Sequence, residues 1–451
     1  MRQAPDAEVA DVRESPLMPA AAPKGEQTAT VRALWSALDA AAAPMSTLIL
    51  TAGLVRVLSP EDYGVMVIAL AASGLVTAIN PAIAATTTKF VSEARGRSGD
   101  VLQAARVMTA SLITVVAMNA VLLLAAACFR EPLVRLVFGI APVSYAGSAL
   151  LMAVLAIGIQ QIDAVIAAGI RGCERFRRQA LLEFGARMAL AVGVIVLAWR
   201  TGDVLAVIAA QCVVCALFAL VRAAALRNVI PGMRIFVVPG ATAMRAVVRF
   251  GSWMWLAAIA GVAYGSADRI IVGRVLGTAV AGRFNVDVQI AQLVHYIPSS
   301  LFAFCLPAFS RLSAGGYAAR GEISRTYRRY LYVIIATAAC LAVSIVLARR
   351  PLLQAVGGTG FDVEHEWTLV LLVVGFLVLS VNVAAYYLLL ALGRSKSASL
   401  IMTVSMLAAL VLMIFLIPRY GTQGAAVGRL VYALGALSLI GVAARNLDRH
   451  L

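Results

Sequence analysis

The chain has 451 residues, of which 62% are apolar and only 13% charged, with a formal net charge of +16. Soluble domains carry roughly one quarter charged residues, so water is excluded as the main solvent of this protein. The basic excess does not call for nucleic acid, because no basic run is interleaved with aromatics on a soluble module.

The opening stretch MRQAPDAEVADVRESPLMPAAAPKGEQTAT mixes both charge signs with Pro and Ala and has no apolar core. Residues 1–30 are therefore expected to be a disordered tail, neither a signal peptide nor a membrane helix. Apolar runs follow, each long enough to cross about 30 Å of hydrocarbon. Twelve are predicted, with cores near 33–55, 65–88, 107–129, 146–170, 180–199, 203–226, 247–273, 280–307, 329–348, 367–392, 397–417 and 422–444. Pro44 and Asn80-Pro81 are expected to kink their helices. NVIPGMRIFVVPGATAMRAVVRF at 228–250 reads as a joint, with an amphipathic connector over 228–246 separating six-helix bundles at 31–227 and 247–451. The 357–367 loop GGTGFDVEHEW reads as an ordinary loop.

Basic residues set the orientation. With the N-terminus inside, the inward segments hold 27 of the 38 Lys and Arg, which places both termini in the cytoplasm. Six cysteines, Cys128, Cys173, Cys212, Cys215, Cys305 and Cys340, lie in or beside apolar helices. They read as small helix residues, and with only three histidines no metal site is expected.

The phrase RVLSPEDYG at 56–64 is rewritten 218 positions later as RVLGTAVAG, and WRTGD at 199–203 returns as PRYGT at 418–422. Two matches at nearly one offset mean a duplication. Six helices per half is an even number, so the copies enter from the same side, and their axis runs along the membrane normal. The predicted fold class is an all-α polytopic membrane protein of about 12 helices in two pseudo-symmetric bundles, with a substrate cavity between them.

The eighth span carries Asn285, Gln289, Gln292 and Tyr296 at spacings of 4, 3 and 4, a polar stripe on one helix face with His295 and Ser299 close by. Cavity lining and helix-to-helix hydrogen bonding both suit such a stripe. Around the neighbouring turn stand Asp268, Arg269, Arg274, Arg283 and Asp287. Arg283 and Asp287 are one turn apart and able to pair, whereas Asp268 and Arg269 diverge by about 100°, so one of them needs another partner. Arg56, Arg269, Arg274 and Arg283 would suit a pyrophosphate, because a guanidinium fork binds phosphate oxygens in pairs; Arg56 and Arg274 also fit as markers of the membrane edge. Asp163, Asp268 and Asp287 are the candidates for coupling to H⁺ or Na⁺, with buried ion pairing as the alternative role. No P-loop is present, so an ion gradient is the expected energy source and no cofactor is expected.

The stretch FGSWMWLAAIAGVAYGSADRIIVGRVLGTAVAGRFNVDVQIAQLVHYIPSSLFAFCLPAFSRL, the closing IPRYGTQGAAVGRLV and the turn RVLSPEDYG resemble the oligosaccharide flippase branch of the multidrug/oligosaccharidyl-lipid/polysaccharide exporter superfamily. The resemblance spans nearly the whole chain. It implies a MATE-like pair of six-helix lobes, a bacterial inner-membrane location and outward movement of polyprenyl-linked glycans for surface or exopolysaccharide. It also implies a lipid-linked oligosaccharide and membrane lipids as partners, alongside other polysaccharide-assembly proteins, and no chemical catalysis. Cation-coupled efflux of small molecules is the first alternative; a membrane polymerase or glycosyltransferase ranks below it, since no large catalytic domain with clustered carboxylates is present.

Overall fold

The structure, a computed structural model, describes residues 29–77, 83–92 except 85, 101–139, 142–229 except 174, 259–302 except 260, 305, 309, 312, 320–358 and 366–449. Most of the expected tail and connector, Asn80-Pro81 and most of the 357–367 loop lie outside these residues.

Every described element is helical. The first half contains α1 (Ala29–Val57), α2 (Pro60–Val76), α3 (Val101–Cys128), the short α4 (Arg130–Phe138), α5 (Ala146–Gly172), α6 (Phe176–Thr201) and α7 (Val204–Val229). The second contains a helical segment at 261–276, then α8 (Thr278–Ala291), α9 (Leu293–Leu301), α10 (Arg320–Leu347), the short α11 (Arg349–Gly357), α12 (Glu366–Val381), α13 (Val383–Ala391), α14 (Ser395–Ala436) and α15 (Ser438–Arg449). Seven described helices are long and apolar enough to cross a membrane. The expected seventh of twelve spans begins at 247, and its first part lies outside the described residues.

Local chemistry sets the breaks. Ser59 caps α2 by accepting from the Asp62 amide at 3.1 Å, and Pro60 occupies the first turn, where a missing N–H costs nothing. Asp203 caps α7 through the amides of Leu205 and Ala206. Within α14 the backbone turns at Gly421, with φ 58° and ψ −138°, a conformation that a Cβ would penalise. The two arms then lie antiparallel. Gly424 meets Leu416, and Gly428 meets Met413, so the neighbour admitted by these small residues is the preceding arm.

The internal repeat extends to the backbone. Gly202 and Gly421, equivalent in the WRTGD and PRYGT copies, have φ of 61° and 58°. Gly139 and Gly358, which end α4 and α11, have φ of 90° and 84°. Gly139 and Gly358 also agree in ψ, −160° and 176°, whereas Gly202 and Gly421 differ, 6° against −138°, so the two halves turn in the same way after α4 and α11 and part at the later glycine.

The apolar cores show how the halves meet. One core unites both halves at the end where α1 turns into α2, joining Leu54, Tyr63 and Ile68 to Phe284, Ile290 and Leu369. At the opposite end the core splits. One part, around Met108, Ile170 and Leu226, belongs to the first half, and the other, around Phe309, Ile323 and Leu388, to the second. The protein is thus fused at one end and parted at the other. Around the outside, Val121, Leu124, Val192, Leu220, Leu400, Val411 and Phe415 are exposed, a density of bare apolar surface expected where the solvent is hydrocarbon rather than water.

Candidate functional site

A cavity of about 750 Å³ opens in the second half and reaches Pro44 and Thr47 of α1. Two described elements supply its charge. The 261–276 segment carries Tyr264, Asp268 and Arg269 within about one turn and a half, and the second arm of α14 brings Arg429 and Tyr432. Arg429 Nε donates to Asp268 Oδ2 at 2.6 Å, with both side chains buried. The Arg429 guanidinium lies over the rings of Tyr264 and Phe376, at 4.9 and 5.3 Å from their centroids. Tyr264 in turn stacks on Tyr432 at 3.7 Å. Ion pair and aromatic faces together hold this guanidinium in one place.

Arg269 sits differently. Its backbone amide donates to Asp268 Oδ1 at 2.9 Å and its Nη1 to the Gly265 carbonyl at 3.0 Å. Arg269 Nε and Arg429 Nη2 are buried donors with no hydrogen-bond partner among the described residues. Each such orphan costs about 1–3 kcal/mol. Among the described residues, Asp268 neutralises one of the two cations that line the cavity, leaving an excess positive charge there.

The polar stripe divides. Gln289, Gln292 and Tyr296 line the cavity, with the Gln292 amide donating to Gln289, and His295 lies 3.4 Å from the Ser380 hydroxyl. Asn285 instead donates to Tyr63 of α2 at 2.7 Å, away from the cavity. Arg283 is half-buried and forms no ion pair with Asp287 among the described residues. Asp287 is fully buried, and neither carboxylate oxygen has a hydrogen-bond partner among those residues.

Arg56 and Arg274 do not line the cavity. Both stand at the fused end of the molecule, where Arg56 donates to the Ala355 carbonyl and Arg274 to the Leu136 carbonyl, the latter at 2.8 Å. At the same end the Tyr145 phenol donates to Asp62; burial and this carboxylate raise the pKa of Tyr145 and keep it protonated.

Asp163 belongs to a separate pocket of about 250 Å³ among α5, α6 and α7. Arg222 binds Asp163 and Glu183, each at 2.9 Å, and Arg187 closes on Glu183 at 2.6 Å. Arg222 is 3% exposed. Arg222→Ala would strand Asp163 and leave Glu183 with Arg187 alone, and is expected to cost about 3–5 kcal/mol in unfolding stability. The exposed pair Arg135–Glu131, 4.0 Å apart, serves as the control: its loss should cost under about 1 kcal/mol. Equal melting shifts for the two variants would remove the structural role assigned to Arg222.

Arg429, Glu183 and Arg222 are absent from the sequence-derived candidates. A signal existed for Arg429, since GAAVGRLV places a cation inside an apolar span, where it must face protein or cavity.

Comparisons with known proteins bear on this geometry. A family model described as polysaccharide biosynthesis protein matches residues 41–313. A putative O-antigen transporter of Shigella flexneri is 24% identical over 180 residues, which are 40% of this chain and 41% of that relative, so the match spans under half of either. Among solved structures, the inward-facing conformation of a MATE-family multidrug resistance transporter of the MOP superfamily aligns at a TM-score of 0.70 and 13% identity, covering 91% of this chain and 98% of that one. The lipid II flippase MurJ in its inward closed conformation aligns at 0.68 and 11% identity, covering 92% and 87%. The all-helical, MATE-like class expected from the sequence is the fold observed.

Proposed function

The chain belongs to the polysaccharide biosynthesis protein family, and on that premise we propose that it is a flippase carrying a polyprenyl-pyrophosphate-linked oligosaccharide across the bacterial inner membrane. The observation that carries this reading is the cavity with two buried, unpartnered guanidinium donors, Arg269 Nε and Arg429 Nη2, beside the amides of Gln289 and Gln292. A pyrophosphate accepts from such donors, and amides and tyrosines replace the water that a sugar loses on leaving the cytoplasm. The lipid tail stays in hydrocarbon at the parted end of the halves.

The cycle is alternating access between lobes at 31–227 and 247–451, joined by a connector at 228–246. Both termini face the cytoplasm, which makes the parted end inward and the fused end outward. An H⁺ or Na⁺ gradient supplies the energy, with Asp163, Asp268 and Asp287 as the carboxylates available to respond to it, since binding must differ between the two states for a gradient to drive the cycle. Membrane lipids surround the protein, and other polysaccharide-assembly proteins are the partners of the pathway.

Deletion of the gene is expected to leave lipid-linked glycan in the inner leaflet and to remove a surface or secreted polysaccharide, with sensitivity to cationic drugs unchanged. A deletion strain that kept its polysaccharide and became drug-sensitive would replace this reading with small-molecule efflux.

A further inference from the structure

The two copies of the repeated phrase meet at the fused end, and their contacts are reciprocal. Arg56 ends α1 of the first half and donates to Ala355 of α11 in the second. Arg274, its equivalent 218 positions on, donates to Leu136 of α4 in the first half. The acceptors are equivalent as well. α4 and α11 start at Arg130 and Arg349, share the sequence pattern R-x-P-L and end at Gly139 and Gly358.

These carbonyls are open for a structural reason. The last four carbonyls of a helix have no partner within it. In α4 the Gly139 amide satisfies Arg135, and in α11 the Gly358 amide satisfies Gln354. The next carbonyl in each helix, Leu136 or Ala355, is the one that receives the arginine. Each guanidinium therefore caps the negative end of a helix from the other half, where a cation is favoured. Both arginines are exposed, so water replaces either contact once it opens, and the bond is reversible.

We propose that Arg56 and Arg274 are a pseudo-symmetric pair of latches, each capping the short helix of the opposite half, that hold the fused end shut and release once per transport cycle. The proposal rests on the alternating-access reading above. It makes the two arginines positioning residues for the conformational step, with no contact to the carried head group.

The test follows the gate without substrate. Nitroxide labels are placed at Arg135→Cys on α4 and Gln354→Cys on α11, in a cysteine-free background in lipid nanodiscs, and the distance distribution is read by pulsed electron resonance. Adding Arg56→Ala and Arg274→Ala together is expected to raise the long-distance population about tenfold, equivalent to ~1.4 kcal/mol. The single variants should shift it by similar, smaller factors, and Arg→Lys should recover part of the short-distance state, because an ammonium still caps a helix end. An unchanged distribution in the double variant, or a shift from only one of the two arginines, overturns the latch. A distribution that shifts as expected in a protein whose deletion spares the polysaccharide would leave the latch standing and remove the glycan as cargo.

Discussion

The double variant Asp268→Asn/Arg429→Gln is expected to fold nearly as well as the parent protein while supporting no surface polysaccharide. The reasoning starts from burial: Asp268 is 0% and Arg429 3% exposed, and they meet at 2.6 Å. Removing one partner leaves an uncompensated charge inside the bundle, at a cost of about 3–5 kcal/mol, whereas neutralising both removes the attraction and the desolvation penalty together. Arg429→Ala and Asp268→Asn alone should therefore lower the melting temperature in detergent, and the double variant should regain most of that loss. Transport should not return with stability, because the double variant lacks the guanidinium that the Tyr264 and Phe376 rings hold at the cavity wall. Arg429→Lys keeps the charge but loses the planar fork and is expected to transport partially. Polysaccharide at normal levels in the double variant would show that Arg429 serves only to neutralise Asp268.

The features legible in the sequence were those written in local spacing. The polar stripe from Asn285 to Tyr296 follows from helical period alone, and three of its four members line the cavity. The fourth, Asn285, bonds instead to Tyr63, 222 positions earlier in the chain, and nothing in helical period distinguishes a cavity from a neighbouring helix. The divergence of Asp268 from Arg269 was legible as a need for a second partner. That partner, Arg429, stands 161 positions away on α14, and only the fold brings it near.

Arg222 is an instructive miss. It lies close to the end of α7 and reads as one more inward-facing cation, yet it is buried between two carboxylates. Charge counting sorts residues by position along the chain, whereas burial depends on which face of the helix they occupy. The equivalence of Arg56 and Arg274 was written in the repeat, but their acceptors are main-chain carbonyls, which carry no residue signature. A third matching pair between the two copies, REPL at 130–133 against RRPL at 349–352, marks the two short helices that supply those carbonyls.

Gly64→Ala is expected to abolish transport while leaving the protein folded and its fused end unable to close. Gly64 is at the first turn of α2, where that helix packs against the start of α8, and its equivalent in the repeat, Gly282, packs against the same spot from the other side. A Cβ on Gly64 would fall 1.9 Å from the Thr278 carbonyl oxygen, a main-chain atom that cannot rotate away. A Cβ on Gly282 meets Tyr63 at 3.0 Å and the Gly64 amide at 3.2 Å, a milder conflict. Packed interiors have no slack for an added methyl, and typical overpacking costs about 1–3 kcal/mol when neighbours can shift. At this crossing the neighbour is backbone from the opposite half, so the available relief is separation of the halves at the fused end. The variant should therefore populate an outward-open state, and Gly282→Ala should do so less. Reaction of an engineered Ser299→Cys in the cavity wall, in a cysteine-free background, with an impermeant maleimide added outside intact cells would measure this, with Gly64→Ala reacting fastest and the protein without either glycine substitution slowest. Equal reaction in all three, with transport preserved in Gly64→Ala, would mean that this contact persists throughout the cycle and that the halves move about some other line.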